Sequence, residues 1–282
     1  MKNADLPINI VADVQEQLAA AAFTKQSAVF DETFSGNPII KYKRERVRNS
    51  VQKYLPPESR ILELNCGTGE DAIWFAGQGH RVHATDLSPG MLEVLRKKLK
   101  TLGFQNKISI ELHSFTELTS LNQRGPYDLI FSNFGGLNCT GKLKTVLNSF
   151  DSLLNPGGLV ILVVLSKFCL WETLLLFKGK FRTALRRFFS SHGVKAKVEG
   201  SELTCWYYNP SLITCSLKNN FNLLRVEGLC TLVPPSYIEQ FTEKHPGIYP
   251  ILKTMEDRLK SKWPWRVMGD YFIISLQKRQ AL

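Results

Sequence analysis

The sequence predicts an α/β fold, a mainly parallel sheet with helices on both faces, and three observations lead there. Short β-branched runs alternate with longer amphipathic stretches from Arg60 onward, and a glycine turn follows the first run. Of the 282 residues, 44% are hydrophobic and 22% charged, enough apolar material for a sizeable core in one large domain.

Residues 1–57 read as a helical cap. VADVQEQLAAAAF, from Val11, is alanine-rich with apolar repeats at helical spacing. Val47, Val51, Tyr54 and Leu55 line a second helix, which Pro56 and Pro57 end. Residues 58–166 form the core, with strands at RILEL, RVHAT, ISIEL, YDLIFSN and GLVILVVL. Residues 167–208 change the rhythm: FKGKFRTALRRFF reads as a basic amphipathic helix and KVEGSELTCWYY as a strand. Residues 209–282 add a helix near PSLITCSLKNN and two closing strands, FNLLRVEGLCTLV and DYFIISLQKR. CTLVPPSYIEQF reads as a strand ending in a proline turn that starts a helix, with Tyr237 a candidate pocket residue.

MKNADLPINI has no apolar run of the secretory kind, and a cytoplasmic location is expected. The most apolar stretch, Gly158 to Phe177, contains Lys167 and Glu172, each costing a few kcal/mol in hydrocarbon, so it reads as a buried strand followed by a helix. Six cysteines, at 66, 139, 169, 205, 215 and 230, form no CxxC pair and no zinc spacing, and neither a metal nor a disulfide is expected. The net charge of +11 gathers in KYKRERVR and KGKFRTALRR, as solvated helix faces or as a surface for nucleic acid, a membrane or an acidic partner protein.

The chemistry centres on Gly67-Thr68-Gly69, between the first strand and a helix beginning near Glu70. Bare glycines there let a cofactor approach the backbone and meet free amides at a helix start. Asp86 lies 17 residues past Gly69, at the end of the next strand, where a carboxylate can accept hydrogen bonds from ribose hydroxyls. Asn65 precedes the glycines, and asparagine tolerates a left-handed backbone. The letters Gly67-x-Gly69-x-x-Ala72 also match a dinucleotide fingerprint, which makes a nicotinamide dehydrogenase the rival reading.

LELNCGTGEDA, HATDLSPGML, YDLIFSNF and LLNPGGLVILVV, in this order and at these separations, resemble the motifs of the class I S-adenosylmethionine-dependent methyltransferases. The resemblance spans about Ile61 to Leu165. It implies a Rossmann-like, seven-stranded mixed sheet with the last strand antiparallel, an N-terminal helical cap and a lid after the fifth strand. It also implies S-adenosylmethionine as cofactor and S-adenosylhomocysteine as product. Carried over, Gly67 and Gly69 pack under the methionine and ribose portion, Asp86 binds the ribose, and Leu87 flanks the adenine. Ser114 stands where the family usually has aspartate, so its hydroxyl meets the adenine amine without charge assistance, and Phe115 supplies an amide and a ring face. Asn133 and Phe134 flank the point where the methyl group emerges. Glu63 and Asn65 order the cofactor turn, Arg44 lies near the cofactor carboxylate, and AVFDETF folds over the site.

Methyl transfer is an in-line displacement that rests mainly on alignment, so dedicated catalytic residues are few. His192, Tyr208 and His245 are the candidate bases. Trp171, Phe177, Phe181, Phe188, Phe189, Trp206, Tyr207 and Tyr208 in the insertion suit a small aromatic or conjugated substrate, the rival being that they are core. The basic charge keeps an RNA methyltransferase as an alternative, though Phe134-Gly135-Gly136 after Asn133 replaces the proline-proline-aromatic run of adenine amino-group methylation. The basic helix suggests an acidic carrier protein presenting a tethered acyl group. The departures at Asn65 and Ser114 motivate a non-enzyme alternative, a cofactor-binding protein that has lost activity.

Overall fold

The computed structural model describes residues 14–280 apart from 199 and 239, so Val11 to Asp13 of the first expected helix lie outside the described residues. Helices α1 (Val14–Gln26), α2 (Phe30–Ser35) and α3 (Pro38–Gln52) precede the sheet. Asn37 starts α3 by accepting the amides of Ile39 and Ile40 at 2.9 and 3.3 Å, with Pro38 in the first turn.

The core alternates as β1 (Arg60–Leu64), α4 (Glu70–Gly77), β2 (Arg81–Asp86), α5 (Pro89–Leu102), β3 (Ile108–Leu112) and β4 (Tyr127–Ser132). Helices α6 (Leu143–Asn148) and α7 (Phe150–Leu153) lead into β5 (Leu154–Leu165). Ser88 caps α5 by accepting the Met91 amide at 3.2 Å, and Gly103 ends it in a left-handed turn.

The insertion carries α8 (Leu170–Thr173), α9 (Phe181–Leu185), β6 (Val194–Val198) and β7 (Ser201–Cys205). Two expectations are corrected here. FKGKFRTALRRFF is not one helix: Gly179, at φ +70°, closes a 3₁₀ turn over Leu174–Lys178 before α9 begins. KVEGSELTCWYY is a hairpin rather than one strand, with Val198 opposite Ser201. The chain closes with α10 (Pro210–Leu217), β8 (Phe221–Leu229), α11 (Phe241–Lys244), α12 (Ile248–Leu259) and β9 (Tyr271–Lys278).

Seven strands form one sheet in the order β3-β2-β1-β4-β5-β9-β8. The first five run parallel, and β9 lies antiparallel to both β5 and β8. Successive residues of β1 serve opposite faces: Ile61 packs with Phe75 and Leu92 from α4 and α5, and Leu62 with Leu143 and Phe150 from α6 and α7. Both faces are therefore buried, which explains why these strands read as continuous apolar runs. β1 has β2 on one side and β4 on the other, so the strand order reverses there and opens a crevice at the strands' carboxyl ends. Among the described residues, no helix is long and apolar enough to cross a membrane.

The C-terminal part is tied to the cap by Glu256. Its carboxylate accepts the amides of Cys230, Thr231, Leu232 and Val233 at 2.8–3.0 Å and meets Arg46 of α3 at 3.3 Å. That bonding makes residues 230–233 an irregular turn, where the sequence suggested a continuing strand.

Candidate functional site

The crevice holds a cavity of about 930 Å³, its mouth included, lined from β1, β2, β4 and the cap. β1 contributes Glu63, followed in the turn by Asn65, Cys66, Gly67 and Thr68; β2 contributes Asp86, then Leu87. Asn133, Phe134 and Gly136 follow β4, and Phe115 follows β3. Glu16, Ala19, Ala20 and Phe23 of α1, Phe30 of α2 and Arg44 of α3 close the top.

The glycine turn forms with asparagine in place: Asn65 is left-handed at φ 48°. Its side chain accepts from Ser132 Oγ at 2.7 Å and donates to the Asn133 carbonyl at 3.1 Å, joining β1 to β4. Gly136 must be bare because a Cβ there would lie 2.2 Å from Asn65 Cγ. The two glycines of the motif differ. A Cβ on Gly67 would meet nothing within 4 Å and would project into the cavity. A Cβ on Gly69 would lie 2.1 Å from Leu95 Cδ1, so this glycine is required by packing against α5, and it does not line the cavity.

Acidic groups dominate the floor. Asp86 Oδ2 accepts the Gly67 amide at 2.8 Å and Oδ1 the Ser88 amide at 2.8 Å, which fixes the carboxylate at the end of β2. Burial raises its pKa against the pull of those amides. Glu63 is 3% exposed and its Oε2 has no hydrogen-bond partner. Burial, reinforced by the Asp71 charge, pushes the Glu63 carboxyl well above the usual carboxylate range. Asp71 of α4 accepts from Asn133 Nδ2 at 2.7 Å and pairs with Arg48 at 3.2 Å and Arg44 at 3.5 Å.

The Arg44 guanidinium also covers the Phe134 ring, 5.0 Å from its centroid. Phe134 is left-handed at φ 48°, an unusual conformation for an aromatic residue, held by its amide donating to Asn133 Oδ1 at 2.8 Å. Thr68 donates to Asp31 at 2.6 Å, and Lys98 reaches Asp31 and Glu70 at 2.6 and 2.7 Å, so α2 is bound to the glycine turn. The thiols of Cys66 and Cys139 line the cavity with pKa values raised by burial, which keeps them protonated.

Of the residues expected at the cofactor, the cavity gathers Arg44, Glu63, Asn65, Gly67, Asp86, Leu87, Phe115, Asn133 and Phe134, but neither Gly69 nor Ser114. Ser114 is turned away and donates its hydroxyl to Glu16. The candidate bases are elsewhere. Tyr208 is buried and donates to the Thr140 carbonyl, His192 is exposed at the end of a 3₁₀ turn, and His245 is exposed against the Phe241 ring at 4.9 Å. Tyr237 reaches Glu172 at 3.5 Å and does not line the cavity either. The insertion aromatics do not line it: Trp206 and Tyr208 join core clusters, while Phe177 and Phe189 are 89% and 77% exposed.

Sequence reasoning missed Asp71 and Glu16. Asp71 looks like an ordinary acidic residue in a first helical turn, and nothing local marks the partner that comes from β4. Glu16 is brought to the site by tertiary packing of α1 alone. Away from the cavity, Cys169, Glu172 and Asp270 come within 4.8 Å of one another, but the Arg187 guanidinium reaches both carboxylates at 2.6 Å and supplies the positive charge there.

Residues 61–158 match the family described as "Methyltransferase domain", and the sheet order and the acid-floored crevice accord with that match. The chain is 29% identical over 149 residues to YqeM of Bacillus subtilis, a protein given a methyltransferase name, covering 52% of this chain and 56% of that one. It is 29% identical over 174 residues to the demethylmenaquinone methyltransferase of Lactococcus lactis, covering 60% of this chain and 65% of that one. The chain thus spans less than two thirds of the length of these relatives. The solved 1,6-didemethyltoxoflavin-N1-methyltransferase of Burkholderia thailandensis shares the fold with a TM-score of 0.54 at 14% identity, over 99% of both chains.

The residues present fit S-adenosylmethionine, the cofactor that the sequence motifs imply. A cationic ligand suits a floor with an unpartnered buried carboxylate oxygen on Glu63, and the space above Gly67 is one that a side chain would fill.

Proposed function

We propose that this protein transfers a methyl group from S-adenosylmethionine to a small aromatic or conjugated metabolite. The observation that carries the proposal is the acid-floored cavity, in which Glu63 and Asp86 share the lining with apolar Phe23, Phe30, Met91 and Phe134. Asp86 would hold the ribose hydroxyls, Gly67 the close approach of the backbone, and Arg44 the carboxylate of the methionine portion. When bound, the cofactor supplies a methyl group on a positively charged sulfur.

The chain's own part is alignment and exclusion of water. Phe134, locked between Arg44 and Asn133, walls the mouth of β4, while α1 and α2 cover the cavity from solvent. Among the described residues the cavity wall carries no histidine, and its thiols stay protonated. An acceptor that brings its own nucleophilic carbon, nitrogen or ionised oxygen fits such a wall best, with the floor carboxylates as the proton acceptors at hand. The aromatic walls favour a flat acceptor.

A second reading, delivery of a tethered acyl group by an acidic carrier protein, is favoured by the insertion. Residues 173–198 contain no acidic side chain and five exposed basic ones, Lys178, Lys180, Arg182, Lys195 and Lys197, and Phe177 stands exposed beside Lys178. Incubation with methyl-labelled cofactor and a fractionated cell extract separates the readings. Label in the small-molecule fraction supports the first and label on an acidic protein the second; label on RNA, or none, contradicts both.

A further inference from the structure

The family position at Ser114 lacks a carboxylate, yet a carboxylate stands beside it. Glu16, in the first turn of α1, is 3% exposed and lines the end of the cavity formed by Leu87, Met91 and Phe115. Its Oε2 accepts the hydroxyls of Ser114 and Thr116, the latter at 3.1 Å. Both hydroxyl donors are thus turned onto Glu16, so this end of the cavity presents acceptors between apolar and aromatic walls. That pattern fits a flat heterocycle bearing an amino group.

We infer that Glu16 is the acceptor for the amino group of the cofactor's adenine, and that the base thereby fastens α1 over the site. This inference rests on the reading of the cavity as a site for S-adenosylmethionine. The carboxylate comes from 98 positions upstream of the strand end that normally bears one. Ser114 and Thr116 become positioning residues, because their donated hydrogen bonds fix the direction in which the carboxylate points.

Helix α1 is built to carry such a coupling. Thr24 and Ser88 Oγ lie 2.8 Å apart, which ties its end to the turn after Asp86. A Cβ on Gly90 would lie 2.7 Å from Ser27 Oγ, so the approach of the two segments depends on that glycine. On its other side, Thr204 of β7 donates to Gln15 at 2.7 Å, and Ala19 and Ala22 pack with Leu203 and Tyr207. The helix is the shared wall of the base end and the insertion hairpin.

The test compares calorimetric binding of S-adenosylhomocysteine with that of S-inosylhomocysteine, in which a carbonyl oxygen replaces the amino group. The full-length protein and its Glu16→Gln and Ser114→Ala variants are used. The wild type should prefer the adenosyl ligand by about a hundredfold or more, since a buried carboxylate set against the analogue's carbonyl oxygen has no proton to share with it. Glu16→Gln, whose amide can donate to the inosyl oxygen, should reduce that preference to a few-fold, and Ser114→Ala should weaken it partly. Hydrogen exchange across α1 should slow on binding in the wild type and change little in Glu16→Gln.

Binding by both proteins with the preference and the α1 protection unchanged would overturn the inference alone. Failure of the wild type to bind S-adenosylhomocysteine would overturn the reading of the site and the inference with it. Unliganded melting temperatures separate either result from a folding defect.

Discussion

Asn133 donates its side-chain amide to Asp71 across 2.7 Å, joining the mouth of β4 to the first turn of α4 beneath the cavity. The same side chain accepts the Phe134 amide, so one asparagine holds both the acid below and the ring beside the mouth. Asn133→Ala should cost about 1–3 kcal/mol in urea unfolding, the range for stranding buried polar partners. Asn133→Asp should cost more, because it sets a second carboxylate against Asp71, and both variants should bind S-adenosylhomocysteine more weakly.

Gly67 and Gly69 should separate on substitution. Gly69→Ala forces a methyl group against the buried Leu95 at 2.1 Å, and overpacking of about 1–3 kcal/mol adds to the left-handed backbone strain of about 1–2 kcal/mol. Gly67→Ala carries only the strain, but its methyl group enters the cavity. Denaturation should find Gly69→Ala the less stable, and calorimetry should find Gly67→Ala the larger loss of affinity relative to stability.

Binding should be linked to protons through Glu63 and Asp86, whose pKa values burial raises in the unliganded protein. A raised acid binds more protons folded than unfolded, so its contribution is present below the unfolded pKa and lost as pH rises through the folded value. Unliganded stability should accordingly fall as pH rises through that window. A cationic ligand favours the ionised form, so S-adenosylmethionine binding should release protons and tighten with pH. Calorimetry in buffers of different ionisation enthalpy should detect this, and Glu63→Gln should diminish it.

The insertion should depend on Arg187. Its guanidinium reaches Glu172 and Asp270 at 2.6 Å and the carbonyls of Ser166 and Asp270 at 3.0 Å, all of them buried. Arg187→Met leaves two buried carboxylates facing each other and should destabilise by about 3–5 kcal/mol. Arg187→Met combined with Asp270→Asn should recover part of that loss, as urea midpoints would show.

What the sequence made legible was local. RILEL, the glycine turn and RVHATD encode a strand, a left-handed passage and a strand-end acid within one stretch of chain. Asn65 could be accepted in that passage because its backbone preference is intrinsic. What stayed hidden depended on distant partners. Nothing near Gly69 says that Leu95 will press on it, and nothing near Glu16 says that Ser114 will meet it. The insertion misled for a related reason: helical spacing in FKGKFRTALRRFF continued past Gly179, whose left-handed backbone ends the turn. His192, Tyr208 and His245 were chosen for their chemistry, and the connections that carry them lead away from the cavity.

The cavity above Gly67 is the proposed site for S-adenosylmethionine. Calorimetric titration of the wild type and Asp86→Ala tests it most directly. S-adenosylmethionine and S-adenosylhomocysteine should bind stoichiometrically, and Asp86→Ala should weaken both by about 1–3 kcal/mol, the loss expected for hydrogen bonds to a charged acceptor. No binding to the folded wild type at millimolar ligand would contradict that assignment.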